Sequence, residues 1–454
     1  MAQTSARELL ANVANIKRGE RLLTLLMFLW FFITLSAYYV IRPVRSALVL
    51  GDYPPTILPW IYMGTAVVTG VVVYVYGKLA SLPRKKLIGG VLLFFAAAFV
   101  AWWWIAGRAE TARAVDPNAY AWTSPVFYVW VDVYSIMAVT IFWMYANDVF
   151  PPRSAKRIFG VIGAAGPLGG LTGAFLTSRL VEGLGTVNMV LVAAGIYLLA
   201  FGIFLGLELL TGGKSADRGA AAARFEEKQA NLSELPAVLR LIRSSRFLLL
   251  LTLVVCFERM VPDFADYVWQ ATLDGTFADE DQLAQFFATV EFWRNAIAFV
   301  ATLFFTAAIL NLLGVKFGLS SVPATILVFA LLFALTPVLL FAVLLKNVEE
   351  GQRHTWFKAA KETTYTVTSR EVIYRVKGYI EMFFYRLSRG IAGVILLGIT
   401  TIAGLGTTAV AMAAVPLALV WLWSAWSLGK EYEALEAQAE ARAPAGAAQP
   451  EPVR

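Results

Sequence analysis

The stretch Leu22-Leu-Thr-Leu-Leu-Met-Phe-Leu-Trp-Phe-Phe-Ile-Thr-Leu-Ser-Ala-Tyr-Tyr-Val-Ile41, followed at once by Arg42-Pro43-Val44-Arg45-Ser46, decides how this chain is read. Its apolar run is long enough for a helix to cross a bilayer. It ends in two guanidinium groups, which stay charged at any ordinary pH. Such charges must face a wet cavity, a headgroup layer or an anion. The plain alternative is a pair of arginines snorkelling to the interface.

Working outward, the same signature repeats along the chain. Of 454 residues 59% are hydrophobic and 15% charged, with a mean hydropathy of +0.67. Those values belong to an all-α polytopic membrane protein, and continuous apolar runs exclude a barrel of alternating strands. Lone Cys256 rules out an intrachain disulfide, and lone His354 a multi-histidine metal site. No metal or cofactor is expected. The net charge of +7 is accounted for by basic loops, so no nucleic-acid partner is expected. Residues 1–21 read as a cytoplasmic segment that is not a cleavable signal, with an amphipathic surface helix over Ala6–Ile16.

Apolar runs fall at 22–41, 57–76, 87–106, 123–147, 158–180, 187–210, 247–265, 286–310 and 407–428. Arg84, Lys85 and Lys86, then Arg153, Lys156 and Arg157, then Lys214 to Arg246, mark alternate loops as cytoplasmic. Asp263, Asp266, Asp274, Asp279, Glu280 and Asp281 mark the loop after the seventh run as external. A cytoplasmic Arg370–Lys377 then requires two spans at 318–335 and 337–361, followed by 375–398. The expectation is twelve spans with both termini cytoplasmic. The polar linker 211–246 divides them into six-helix bundles at 22–210 and 247–428, and the tail 429–454 is expected to be mostly disordered.

Asp132, Asp148, Glu258, Glu291, Arg294, Lys346, Glu350, Arg353, Glu381, Arg386 and Arg389 fall inside these spans. Intramembrane charge is rare and usually lines a pathway or finds a partner. Glu291 and Arg294, three apart, read as a pair on one helix. Arg42/Arg45 and Arg386/Arg389 are also three apart but alike in sign, so each fork is expected to bracket an anion. Lys346 and Arg353 lie on a tenth span so polar that it must face a cavity. Tyr39 and Trp269 stand where an aromatic ring stacks on a base, although belt or packing roles are the default. Asp132, Asp148, Glu258 and Asp266 are the acids available for coupling or gating.

Two other features have structural readings. The run Gly160-Val-Ile-Gly163-Ala-Ala-Gly166-Pro-Leu-Gly169-Gly170-Leu-Thr-Gly173 has no nucleotide-loop spacing and opens a hydrophobic span, so it reads as a close-packing seam. Trp102–Trp104 and Trp421, Trp423 and Trp426 read as interfacial belts.

The loop Gly77-Lys-Leu-Ala-Ser-Leu-Pro83-Arg84-Lys85-Lys86 resembles the basic loop of the major facilitator superfamily, with Ser81 where an acid usually lies. Four further segments resemble the bacterial and plastid nucleotide translocases that exchange ATP for ADP. They are Arg42-Pro-Val-Arg45-Ser46, Phe142-Trp143-Met-Tyr-Ala146-Asn147-Asp148, Asp266-Tyr-Val-Trp269-Gln270, and Tyr374-Arg375-Val-Lys377-Gly-Tyr-Ile380-Glu381 with Arg386 and Arg389. The resemblance covers most of the chain. It implies a major facilitator fold and a nucleotide path lined by Arg45, Asp148, Asp266 and Arg389, with Asn147, Lys377 and Glu381 beside them. Ser46 and Gln270 stand where those exchangers carry aspartate and lysine.

The expected function is alternating-access transport of an anionic, phosphorylated organic solute, with nucleotide exchange leading. Competing readings are movement of an anionic lipid or lipid-linked precursor, and proton-coupled carriage of another organic anion. No cluster of acid, base and nucleophile suggests an enzyme. The expected setting is a monomer in the bacterial inner membrane, with lipids and a small anionic solute as partners.

Overall fold

The computed structural model describes residues 16–79, 84–113, 115–116, 119–150, 152–211, 235–277, 279–367, 376–377 and 379–442. The expected helix over 6–16, most of the central linker, the segment Arg370–Arg375 and the end of the tail lie outside them.

Among the described residues there are helices and no strands. The first half holds α1 (Arg21–Asp52), α2 (Leu58–Leu79), α3 (Arg84–Arg113), α4 (Thr123–Val149), α5 (Pro152–Gly163), α6 (Ala165–Leu184) and α7 (Thr186–Thr211). A short α8 (Leu235–Ser244) follows, its Val238 and Ile242 buried and its arginines exposed. The second half holds α9 (Arg246–Leu273), α10 (Glu280–Val300), α11 (Thr306–Leu335), α12 (Leu339–Gln352), α13 (Lys358–Thr364), α14 (Tyr385–Leu397) and α15 (Thr407–Arg442).

The breaks follow local chemistry. Tyr53 is extended ahead of Pro54 and ends α1, as expected of a residue before proline. Gly185 turns the chain between α6 and α7 at a φ of 84°. Gly314, at a φ of 81°, breaks α11, so its first turns prolong α10 and the rest is the ninth span. The side chains of Ser245 and Asp279 accept hydrogen bonds from the N–H groups of Leu248 and Gln282 and start α9 and α10.

Nine helices among the described residues are long and apolar enough to cross a membrane. The seventh, eighth and tenth expected spans correspond to helical α9, α10 and α12–α13, which carry the buried charges. Two expectations are corrected. Asp263 and Asp266 are not loop acids: α9 runs on to Leu273 and buries Asp263, because Arg259 on the same helix neutralises Asp263 and Lys346 on α12 neutralises Asp266. Trp421 is no belt residue. It is fully buried, edge-on to Phe357 at 5.8 Å, whereas Trp104, Trp423 and Trp426 are exposed. The first part of the tail is helical, since α15 continues to Arg442.

Two apolar cores correspond to the halves, each built mainly from one set of helices. In the first, α1 packs on α4, α6 and α7; in the second, α9 packs on α12, α14 and α15. The halves meet where α6 packs on α10, α2 on α14 and α1 on α10. Glycines permit the closest approaches. A Cβ at Gly169 would lie 2.5 Å from the Phe32 carbonyl oxygen, and one at Gly173 would collide with that of Ser36. The glycine run is therefore the seam between α6 and α1. Gly393 does the same for α14, where a Cβ would come 3.0 Å from the Pro59 carbonyl oxygen.

At the end of the bundle where α1 finishes, α10 is tied to the first half. The Asp281 carboxylate accepts hydrogen bonds from the Thr186 N–H and hydroxyl at 2.6 and 2.5 Å. Glu280 sits against Gly51, near the Asp52–Arg113 ion pair. Glu280 lies in the first turn of α10, ahead of the apolar run. Burial, then the charge of Asp52, pushes its carboxyl up to about 7.

Two outcomes follow. Gly173→Leu drives a side chain into α1 and should cost about 1–3 kcal/mol, read as a lower melting temperature in detergent. The raised Glu280 carboxyl binds protons more tightly in the folded state. Its contribution is present below about pH 4.5 and is lost as pH rises to about 7. Wild type should therefore lose more thermal stability than Glu280→Gln across that window; parallel curves would disprove it.

Candidate functional site

Helices α1, α4, α9, α10 and α12 line a small cavity of about 20 Å³ between the halves. Its walls include Arg42, Arg45, Tyr128, Asp266, Trp269, Gln270, Glu291, Arg294, Lys346 and Asn347. Two helices enter it through prolines. Pro43 interrupts α1 between Arg42 and Arg45, and Pro262 interrupts α9 just before Asp263 and Asp266. Each proline removes one helical hydrogen bond, which loosens the helix where its charges project. Both charge pairs are spaced three apart and so share a helix face.

The charges neutralise one another. Arg45 bonds directly to Asp132 of its own half, with its guanidinium 4.1 Å over the Tyr128 ring. The other Asp132 oxygen accepts from Arg389 of the opposite half at 2.8 Å and from the Thr65 hydroxyl at 3.4 Å. Arg389 lies 3.9 Å from Asp263, which is held by Arg259 at 3.0 Å. Asp266 accepts hydrogen bonds from the Tyr62 hydroxyl at 2.7 Å and Gln270 at 2.8 Å, and pairs with Lys346 at 3.0 Å.

Deeper in the same cluster, Glu350 receives three cations. Arg42 reaches it at 2.8 Å, Arg294 at 3.2 Å and Lys346 at 3.3 Å. Arg42 also meets Glu291 at 3.2 Å, and Arg353 meets Glu349 at 3.3 Å. Among the described residues the network holds seven cations (Arg42, Arg45, Arg259, Arg294, Lys346, Arg353, Arg389) and six carboxylates (Asp132, Asp263, Asp266, Glu291, Glu349, Glu350). Three ion pairs of the network cross between the halves, Arg42 to Glu291 and Glu350 and Arg389 to Asp132, as do the hydrogen bonds that Tyr62 donates to Asp266 and Gln270 donates to Tyr62 and Tyr128.

Arg42, Arg45, Asp132, Asp266, Trp269, Lys346, Arg353 and Arg389 therefore come together. Tyr39 flanks them, its ring 5.9 Å from the Arg42 guanidinium and packed against Gly170. The arginine forks do not form. Arg42 and Arg45 turn to different carboxylates, and Arg389 is drawn to Asp132, because buried acids satisfy guanidiniums that the sequence shows only as like-charged neighbours. Arg386 is half-buried and makes no ion pair or hydrogen bond among the described residues.

Asn147 and Asp148 lie elsewhere. Sixteen residues along α4 separate Asp148 from Asp132, about 24 Å of helix. Glu258 belongs to a second buried group. It pairs with Lys361 at 2.7 Å, and Lys361 lies 3.9 Å from Glu381. Lys377 pairs with Glu362 at 2.7 Å and covers the Tyr365 ring.

Sequence reasoning missed Glu350 and Asp263 as part of this site, read Glu291/Arg294 as an isolated pair, and passed over Tyr62 and Tyr128. The signal for Glu350 was present: Lys346, Glu350 and Arg353 share one face of a span too polar to face lipid. Nothing in sequence marked the two tyrosines.

Residues 110–432 match the family model described as TLC ATP/ADP transporter. The chain is similar to ADP,ATP carrier protein 1 of Chlamydia muridarum, with 23% identity covering 91% of this chain and 89% of that protein. It is also similar to ADP,ATP carrier protein 3 of Rickettsia bellii, with 20% identity covering 70% and 72%. Among solved structures it superposes on the nucleoside transporter NupG, with a TM-score of 0.57 and 12% identity over 91% of this chain and 99% of that one. A bacterial homologue of the iron transporter ferroportin, in an inward-facing state, gives 0.60 and 13% over 91% and 100%. These two likenesses show the major facilitator fold. The family match runs from the end of α3 through most of α15, and the chain belongs to the TLC ATP/ADP transporter family.

Proposed function

We propose that this protein exchanges nucleotides across a bacterial inner membrane by rocking its two halves about the charged cavity. One observation carries the site: five cations from four helices (Arg42, Arg45, Arg294, Lys346 and Arg389) converge at the boundary between the halves. Guanidinium groups and a lysine in a desolvated setting suit the phosphates of a nucleotide. The names of the similar carriers supply the substrate class, ADP and ATP. Trp269 and Tyr128, at the cavity wall, offer faces for the base.

In this proposal the N-terminus is cytoplasmic and the Asp281–Thr186 tie lies on the outer side. The described residues then join the halves externally, the side that must part for release outward. The contacts of Arg42, Arg389 and Tyr62 across the halves break and reform as the bundles move. Substrate phosphate replaces carboxylate as the partner of the cations. The protein works as a monomer, surrounded by lipid.

The direct test is uptake of labelled ATP into proteoliposomes loaded with ADP. Uptake should require internal nucleotide; equal uptake into empty vesicles would refute exchange, and absence of any nucleotide uptake would refute the substrate. Arg45→Ala and Arg389→Ala should each lower exchange at least about tenfold, since each loses a charged contact worth roughly 1.5–3 kcal/mol. Arg45→Lys should recover part of the rate, because it keeps the charge and loses the fork. Asn147→Ala, remote from the cavity, should leave the apparent nucleotide affinity unchanged.

A further inference from the structure

Glu350 is held as a bound anion would be. Its carboxylate meets Arg42 of α1 at 2.8 Å, Arg294 of α10 at 3.2 Å and Lys346 of its own helix α12 at 3.3 Å. Three cations that line the cavity between the halves converge on this one buried side chain. An isolated structural ion pair needs one partner. Three donors around one acid group is the stoichiometry by which proteins hold a phosphate.

Charge makes the same point. The network carries seven cations against six carboxylates, so its surplus is a single positive charge. A solute with several phosphate charges entering this desolvated space meets cations that are already engaged. Adding it beside the carboxylates would crowd like charges at low dielectric. A carboxylate must therefore yield its cations. Glu350 is the one that holds three, and the backbone next to it is built to shift. A Cβ on Gly351 would meet nothing within 4 Å, and the helix turns π-helical at Arg353–Phe357.

We infer that Glu350 is an internal stand-in for the substrate: its carboxylate occupies a phosphate subsite formed by Arg42, Arg294 and Lys346, and the substrate binds by displacing it. This inference rests on the anion-carrier reading above and adds to it the subsite, its three cations and its competitor. Arg42 comes from the first half and the other two from the second. A phosphate there bridges the halves as Glu350 does in its absence, so the link between bundles passes from protein to substrate.

The test is calorimetric binding of inorganic pyrophosphate and of ATP to the purified full chain. Glu350→Gln keeps size and hydrogen bonding and removes the competing charge, so both probes should bind about tenfold more tightly than to wild type. Glu349→Gln is the control. Glu349 is fully buried one residue away but contacts Arg353 and, at 3.9 Å, Lys346, and its substitution should produce no gain. Unchanged or weaker binding to Glu350→Gln, or an equal gain in Glu349→Gln, overturns the inference. If Glu350→Gln fails to fold, Glu350→Asp serves. It keeps the charge on a shorter arm and should bind about threefold more tightly; no gain there also overturns the inference. The two readings fail separately. Tighter pyrophosphate binding without ATP binding leaves the subsite standing and removes the nucleotide. ATP exchange with no gain in Glu350→Gln does the reverse.

Discussion

A charge taken out of water costs several kcal/mol unless a partner replaces the lost hydration, and this chain takes thirteen of them into one cluster between helices. Much of the architecture answers that cost. Helix α9 continues past Asp263 and Asp266 because cations await them. Helix α12 and the turn that follows it tolerate Lys346, Glu349, Glu350 and Arg353 within about two turns because every one of them finds an opposite charge. Arg42 and Arg389 also join the halves through these same contacts.

Close packing elsewhere fixes where the charges stand. Gly169 and Gly173 bring α6 onto the backbone of α1, and Gly170 admits both Tyr39 of α1 and Asn295 of α10. The segment of α1 that carries Arg42 and Arg45 is thereby held from one side by glycine and interrupted from within by Pro43. Stiff packing up to Tyr39 and a missing hydrogen bond at Pro43 place the freedom to adjust in the turn that holds the arginines.

Much of this was legible in the sequence. Continuous apolar runs marked the helical segments. Spacing identified Arg42, Arg45 and Arg389 as exceptional. What spacing could not show was their partners. Asp132 lies 87 residues from Arg45, and Glu350 lies 308 from Arg42. Local reading therefore saw like-charged forks where the fold supplies carboxylates. Asp263 and Asp266 were assigned to a loop for the same reason, since a charge looks soluble until its partner is known. Asp148 matched a motif and yet lies about 24 Å of helix from the cluster, because a motif reports order along the chain and not depth in the bundle.

Asp132 has a further meaning. One carboxylate serves Arg45 within its own half and Arg389 from the other. Replacing Asp132 strands the buried Arg45 and leaves Arg389 only Asp263, at 3.9 Å, so the aspartate cannot drift alone during divergence. Positions 45, 132 and 389 form one heritable unit spread over three helices. Relatives that lose the aspartate should change the arginines with it, and such a lineage has had to rebuild its contact between the bundles.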